Sequence, residues 1–122
     1  MSLPPKFVLT YFDARGRAEI SRLIFAAAGI PYVDNRVQNW PVGQDDSPTR
    51  RLPYLTVENI RLPQSVAIAR FLAREFNLEG NDYLTAAKCD AIVDTCLDFQ
   101  HDLYLNVFDI KDDREKVSFS SH

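Results

Sequence analysis

The chain has 122 residues, 46% of them hydrophobic and 25% charged, which is the composition of a globular domain and excludes a disordered or low-complexity one. Fourteen basic against seventeen acidic residues leave a net charge of −3, which argues against a coat for nucleic acid or a polybasic membrane binder. The longest apolar run, Leu23 to Ile30, is far shorter than a spanning helix, and Phe7-Val8-Leu9 runs into Thr10 and Tyr11 without a secretory apolar stretch, so a soluble cytoplasmic protein is expected.

Phe7 to Phe12 is short, apolar and aromatic, the signature of a buried strand. Arg15 to Ala28 reads as a helix with Ile20, Leu23, Ile24, Ala27 and Ala28 on its inner face. Gly29 and Pro31 stop it in the order expected of a helix C-terminus. Tyr32 to Val37 is a second strand. Two strands joined by a helix make a βαβ unit, so this pair should be parallel. Asn39 to Leu52, broken by Pro41, Gly43 and Pro48, reads as a loop with one helical turn at most. Tyr54 to Val57 and Ile60 to Leu62 flank Glu58-Asn59 as a hairpin. Ser65, a favoured N-cap, opens a helix through Phe76 with Ile68, Phe71 and Leu72 inward. Gly80 and Asn81 mark a boundary.

Beyond that boundary runs one long helical pattern. Cys89, Ile92, Cys96, Phe99 and Leu103 form an a/d-like stripe, and Asp90, Asp94, Asp98 and Asp102 recur every fourth residue on another face. Such a ladder reads either as a solvated face or as one turned toward a cationic ligand or partner. Cys89 and Cys96 are seven residues apart, roughly 10 Å along a helix, which is beyond disulfide reach. The histidines His101 and His122 show no metal-ligand spacing. Lys111 to His122 lose the apolar period and look frayed.

The order β-α-β, loop, β-β-α spells an α/β, thioredoxin-like N-terminal domain, an open sheet with helices on both sides, followed by the start of an all-α C-terminal domain. The expected division is 5–82 for the first and 83–122 for the second. In open α/β sheets the site forms at the carboxyl end of the first strand, here Tyr11-Phe12-Asp13-Ala14. No Cys-x-x-Cys stands there, which excludes disulfide exchange by that route.

Tyr11-Phe12-Asp13-x-Arg15-Gly16-Arg17-Ala18-Glu19, then Trp40-Pro41, Leu52-Pro53 and Leu62-Pro63-Gln64-Ser65-x-Ala67-Ile68-Ala69-Arg70-x-Leu72-Ala73 stand in an order and spacing that resembles the sigma-class glutathione S-transferases, relatives of glutathione-dependent prostaglandin D synthase and cephalopod S-crystallins. The likeness covers residues 6 to about 108. It implies a thioredoxin-like glutathione-binding domain and glutathione as co-substrate. It also implies a small electrophile as second substrate and a cytoplasmic homodimer.

By that resemblance Tyr11 is the catalytic hydroxyl, donating to the glutathione sulfur so that the thiolate is favoured as nucleophile. Arg17 lends the anionic sulfur a nearby cation. Phe12 is a cleft wall or plain core. Pro53 stands where the family has a cis-proline that turns the Leu52 backbone toward the cysteinyl part of glutathione, as in strand addition. Gln64 and Ser65 hold the γ-glutamyl carboxylate at a helix start. Asp98, reaching from the second subunit, meets the ammonium. At the glycyl carboxylate, Trp40 offers its indole N–H, Arg51 a cation, and Gln44 departs from a basic residue often found there. Asp45 and Asp46 put two negative charges beside a carboxylate that should be bound.

The resemblance also implies a complete second helical domain, of which this chain carries only the first helix, so the chain reads as truncated, with the stripe of that helix left exposed. Two functions follow. One is glutathione transfer in detoxification, with prostaglandin isomerisation or peroxidase chemistry as variants. The other is a non-catalytic glutathione-binding or crystallin-like role, against which an intact Tyr11 and a single methionine speak.

Overall fold

The computed structural model describes residues 6–103, 105 and 106, so the readings made for Met1–Pro5 and for Lys111–His122 lie outside the described residues. The chain divides into two compact units, residues 1–78 and 79–122.

In the first unit, β1 (Phe7–Phe12) leads through a 3-10 turn (Gly16–Ala18) into α1 (Glu19–Ala28) and then β2 (Val33–Val37). A second 3-10 turn (Gln44–Asp46) precedes β3 (Tyr54–Val57), β4 (Ile60–Pro63) and α2 (Ser65–Glu75). The strands form one mixed sheet in the order β2-β1-β3-β4, with β1 and β2 parallel and the other two pairs antiparallel. This is the thioredoxin-like arrangement expected from the order of elements. The hairpin turns at Glu58, which takes a left-handed φ of 57°.

Side chains alternate along β1, so Phe7, Leu9 and Tyr11 enter one core with Phe25, Leu55, Ile68 and Leu72. Full burial of each such side chain contributes about 1.5–3 kcal/mol. Phe25 stacks on Tyr32 with centroids 4.1 Å apart and meets Phe7 at 5.5 Å, which binds α1 to the sheet. The end of α1 is closed by Gly29 at φ 68°, its N–H on the Ala26 carbonyl and that of Ile30 on Phe25.

Two expectations are corrected here. α1 and α2 pack on each other, so both lie on the same side of the sheet rather than on its two sides, while the residues between β2 and β3 form a loop with one 3-10 turn, as expected. Pro41, Gly43 and Pro48 interrupt any longer helix there. The inner face of α1 is also differently phased: Ser21, Arg22 and Phe25 are buried, whereas Ile20 and Leu23 are exposed. Arg22 is admitted because its guanidinium is fully occupied by partners, described below.

The second unit begins with α3 (Tyr83–Leu103), capped by Asp82, whose carboxylate accepts the Thr85 N–H at 2.7 Å. That bond lowers the Asp82 carboxyl from its ordinary value. No residue of α3 is buried; on its apolar stripe Ile92 and Phe99 are 65% and 69% exposed with Cys96 exposed between them, while Cys89 and Leu103 are half-buried.

Candidate functional site

β1 delivers Tyr11 to its carboxyl end with the ring 1% exposed and the hydroxyl turned toward the turn that follows. The Arg17 N–H donates to that hydroxyl at 3.1 Å. Gly16 comes so close that a Cβ built there would lie 2.2 Å from the same oxygen, and its φ of 43° is one that L side chains rarely adopt. The phenol is thus seated against bare backbone. A phenol oxygen can both accept and donate hydrogen bonds, and here it accepts the Arg17 N–H. Phe12 packs edge-on against Tyr11 at 5.3 Å and against Trp40 at 5.9 Å, which brings three of the expected residues into one aromatic row.

Behind the turn lies Arg22, which sequence reasoning missed. It is 6% exposed, and its guanidinium donates to the Ala14 carbonyl at 2.6 Å, to Glu19 Oε1 at 3.1 Å and to Asp34 Oδ1 at 3.1 Å, with longer bonds to the Phe12 and Arg15 carbonyls at 3.4 Å. It also lies over the Tyr11 ring, 5.8 Å from its centroid. Arg36 extends the network by bonding Asp34 and Asp13, both at 3.0 Å, and these bonds raise its guanidinium above the ordinary value. Nothing in the sequence marks Arg22, because three of its acceptors are backbone carbonyls and a hydrophobic pattern counts an arginine as exposed.

The segment between β2 and β3 closes on itself. Gln44 donates its amide N–H to the Arg50 carbonyl at 3.1 Å and accepts from the Arg50 guanidinium at 3.0 Å, so its side chain is committed within the loop. Asp45 pairs with Arg50, and Asp46 with Arg61 at 3.6 Å. The two aspartates that looked unfavourable for anion binding are therefore matched by cations. Ser47, buried, ties the loop to the Arg51 backbone by bonds of 2.5 and 3.2 Å, while the Arg51 side chain is exposed. A cavity of about 310 Å³ opens among Pro41, Gly43, Gln44, Asp45, Asp46 and Arg50. The Leu52-Pro53 bond is cis, as the resemblance implied, and Trp40-Pro41 is cis as well. Leu52 is buried in the core cluster, which leaves its backbone rather than its side chain for any ligand.

Gln64 and Ser65 stand at the start of α2, as expected, with the cap one residue earlier than the expected Ser65. The N-cap is Gln64, with φ 78° and no side-chain cap bond, and Ser65 is the first helical residue. Its N–H and those that follow are the bare donors of a helix N-terminus. Asp98 is exposed on α3, in the second unit, while all the other expected site residues belong to the first. Among the described residues there is no group of three or more His, Cys, Asp or Glu placed to hold a metal ion, and no helix is long and apolar enough to cross a membrane.

The family described as "Glutathione S-transferase, N-terminal domain" matches residues 7–74. Among curated proteins, S-crystallin 4 of Enteroctopus dofleini is 41% identical over 119 residues, covering 95% of this chain and 55% of its own length. Hematopoietic prostaglandin D synthase of Gallus gallus is 48% identical over 97 residues, covering 78% and 49%. Among solved structures, a nematode-specific glutathione transferase from C. elegans superposes with a TM-score of 0.76 at 43% identity, over 80% of this chain and 49% of that one. The chain spans about half the length of the curated relatives it matches.

Proposed function

Because the chain belongs to the glutathione S-transferase family, we propose that it binds glutathione at the carboxyl end of β1 and directs the thiolate at small electrophiles. The observation that carries this reading is the Tyr11 hydroxyl at the end of the first strand, where its oxygen accepts the Arg17 N–H at 3.1 Å and is held in place by it. A donor aimed at a sulfur that becomes anionic favours the thiolate, and the thiolate is the nucleophile.

Around it the roles follow the chemistry of the tripeptide. Arg17 supports the anionic sulfur, Phe12 and Trp40 wall the cleft, and the Leu52 backbone before Pro53 pairs with the cysteinyl backbone. Gln64 and the Ser65 end of α2 take the γ-glutamyl carboxylate. Arg51 takes the glycyl carboxylate with Trp40, and Gln44 shapes the loop beside it. Residues 5–82 form the glutathione domain and 83–122 part of a helical one. The working form is a cytoplasmic homodimer of the sigma class, with Asp98 of the partner subunit meeting the ammonium. Prostaglandin isomerisation and peroxide reduction belong to the same thiolate chemistry.

A second reading is favoured by the S-crystallin relatives, at 41% and 42% identity: the same fold binding glutathione without turnover. Tyr11→Phe separates the two. An enzyme should lose about 10²–10³-fold in transfer to an activated aryl halide, as when an anion-stabilising donor is removed, with glutathione affinity within about two-fold of the parent. Equal losses in rate and affinity would refute the donor role. A parent chain that quenches Trp40 on glutathione addition but turns nothing over would establish the crystallin-like reading.

A further inference from the structure

The buried arginine on α1 belongs to none of these roles. Arg22 sends its guanidinium to three backbone carbonyls in the four residues that follow Tyr11, those of Phe12, Ala14 and Arg15. Phe12 closes β1, and its carbonyl also accepts the Ala14 N–H at 2.8 Å, while Ala14 and Arg15 lead into the 3-10 turn, so the guanidinium gathers the carbonyls of the whole bend. The remaining donor capacity goes to Glu19 and Asp34, which balance the charge and anchor the group to α1 and β2. The next two residues, Gly16 and Arg17, are the ones that seat the Tyr11 hydroxyl.

We infer that Arg22 is the positioning residue of this site: its guanidinium fixes the 12–15 backbone, and that backbone places the Arg17 amide on the Tyr11 hydroxyl. The inference rests on the reading of Tyr11 as the donor at the site. A planar fork of five N–H donors suits the task, because it meets several carbonyls at once while a lysine ammonium acts as a single compact charge. The cation over the Tyr11 ring adds a second constraint on the same side chain.

The test is amide hydrogen exchange of the chain without glutathione, so that its result bears on Arg22 and not on ligand binding. In Arg22→Lys the Arg17 N–H should exchange about ten-fold faster, the equivalent of losing one or two hydrogen bonds in the turn. Leu9, in the middle of β1, exchanges through global unfolding and reports any general loss of stability. A merely structural arginine would speed Leu9 alone or both amides by the same factor, and either result would overturn the inference. If Arg22→Lys does not fold, Asp34→Asn keeps the guanidinium and its carbonyl bonds while neutralising the anchor on β2. The Arg17 amide should then exchange about three-fold faster, the loss expected when one charged partner of a hydrogen bond is made neutral, and an unchanged rate refutes the role.

Discussion

Replacing Gly16 by alanine puts a methyl group where the Tyr11 hydroxyl now sits. The added carbon would lie 2.2 Å from the phenol oxygen and 2.9 Å from Cζ and Cε2, so the ring or the turn must move by more than an ångström to reach ordinary contact. The ring has little room, since Tyr11 is buried with Phe12 and the Arg22 guanidinium against it. Two costs combine. An L side chain at a φ of 43° costs about 1–2 kcal/mol relative to glycine, and overpacking a close-packed site typically costs about 1–3 kcal/mol. The expected destabilisation is therefore about 2–5 kcal/mol, a large part of the roughly 5–15 kcal/mol of a typical domain. Urea unfolding followed through Trp40, the single tryptophan, measures it. The same substitution in a Tyr11→Phe background meets no hydroxyl, only the 2.9 Å carbon contacts, and should cost about 1 kcal/mol less. Equal costs in the two backgrounds, or a cost below about 1 kcal/mol in the parent, would refute the claim that Gly16 is held glycine by the phenol.

Other expectations are as direct. Phe25→Ala, at a fully buried ring, should cost about 3–5 kcal/mol, whereas Leu23→Ala, on the exposed face of α1, should stay within about 0.5 kcal/mol; urea midpoints of the two would expose a wrong helix phase. Asp82 has a lowered folded pKa, so its cap on α3 is fully present above the ordinary carboxylate value near 4 and is lost as pH falls through the folded one. Thr85 amide protection followed downward from pH 5 should report that loss, and protection unchanged at pH 2 would remove the carboxylate from the cap. Arg51→Gln should weaken glutathione binding by about two- to five-fold at low salt, the range of one exposed ion pair. Unaltered affinity would take Arg51 out of the glycyl end.

Much of the first unit was readable from local chemistry. The short apolar and aromatic run Phe7–Phe12, the Gly29 stop and the Glu58-Asn59 turn each specify their own conformation, and the βαβ rule then makes β1 and β2 parallel. The phase of α1 was not readable, because Ile20, Leu23, Ile24, Phe25 and three alanines leave the helix apolar nearly all round, and only tertiary partners decide which stripe is buried. Arg22 escaped for the same reason: an arginine counts as polar in a periodicity, and its acceptors are backbone carbonyls that no pattern displays. Ser65 looked like a cap on composition, yet Gln64 takes that place with a positive φ and Ser65 becomes the first turn of α2. Tyr11 is singled out as a candidate by the resemblance and by its place at the end of β1. The seat made by Gly16 and the Arg17 amide required coordinates.

The self-pairing of the segment before β3 bears on how an anion would be met there. Asp45 with Arg50, and Asp46 with Arg61, form two local dipoles whose fields fall off quickly, so an approaching carboxylate meets Arg51 almost as a solitary monovalent charge. On the proposal that Arg51 takes the glycyl carboxylate, capture would be governed at contact range, not by guidance from afar. Its sensitivity to ionic strength should be that of one elementary pair, fading as the screening length shrinks from about 30 Å at 0.01 M to about 8 Å at physiological salt.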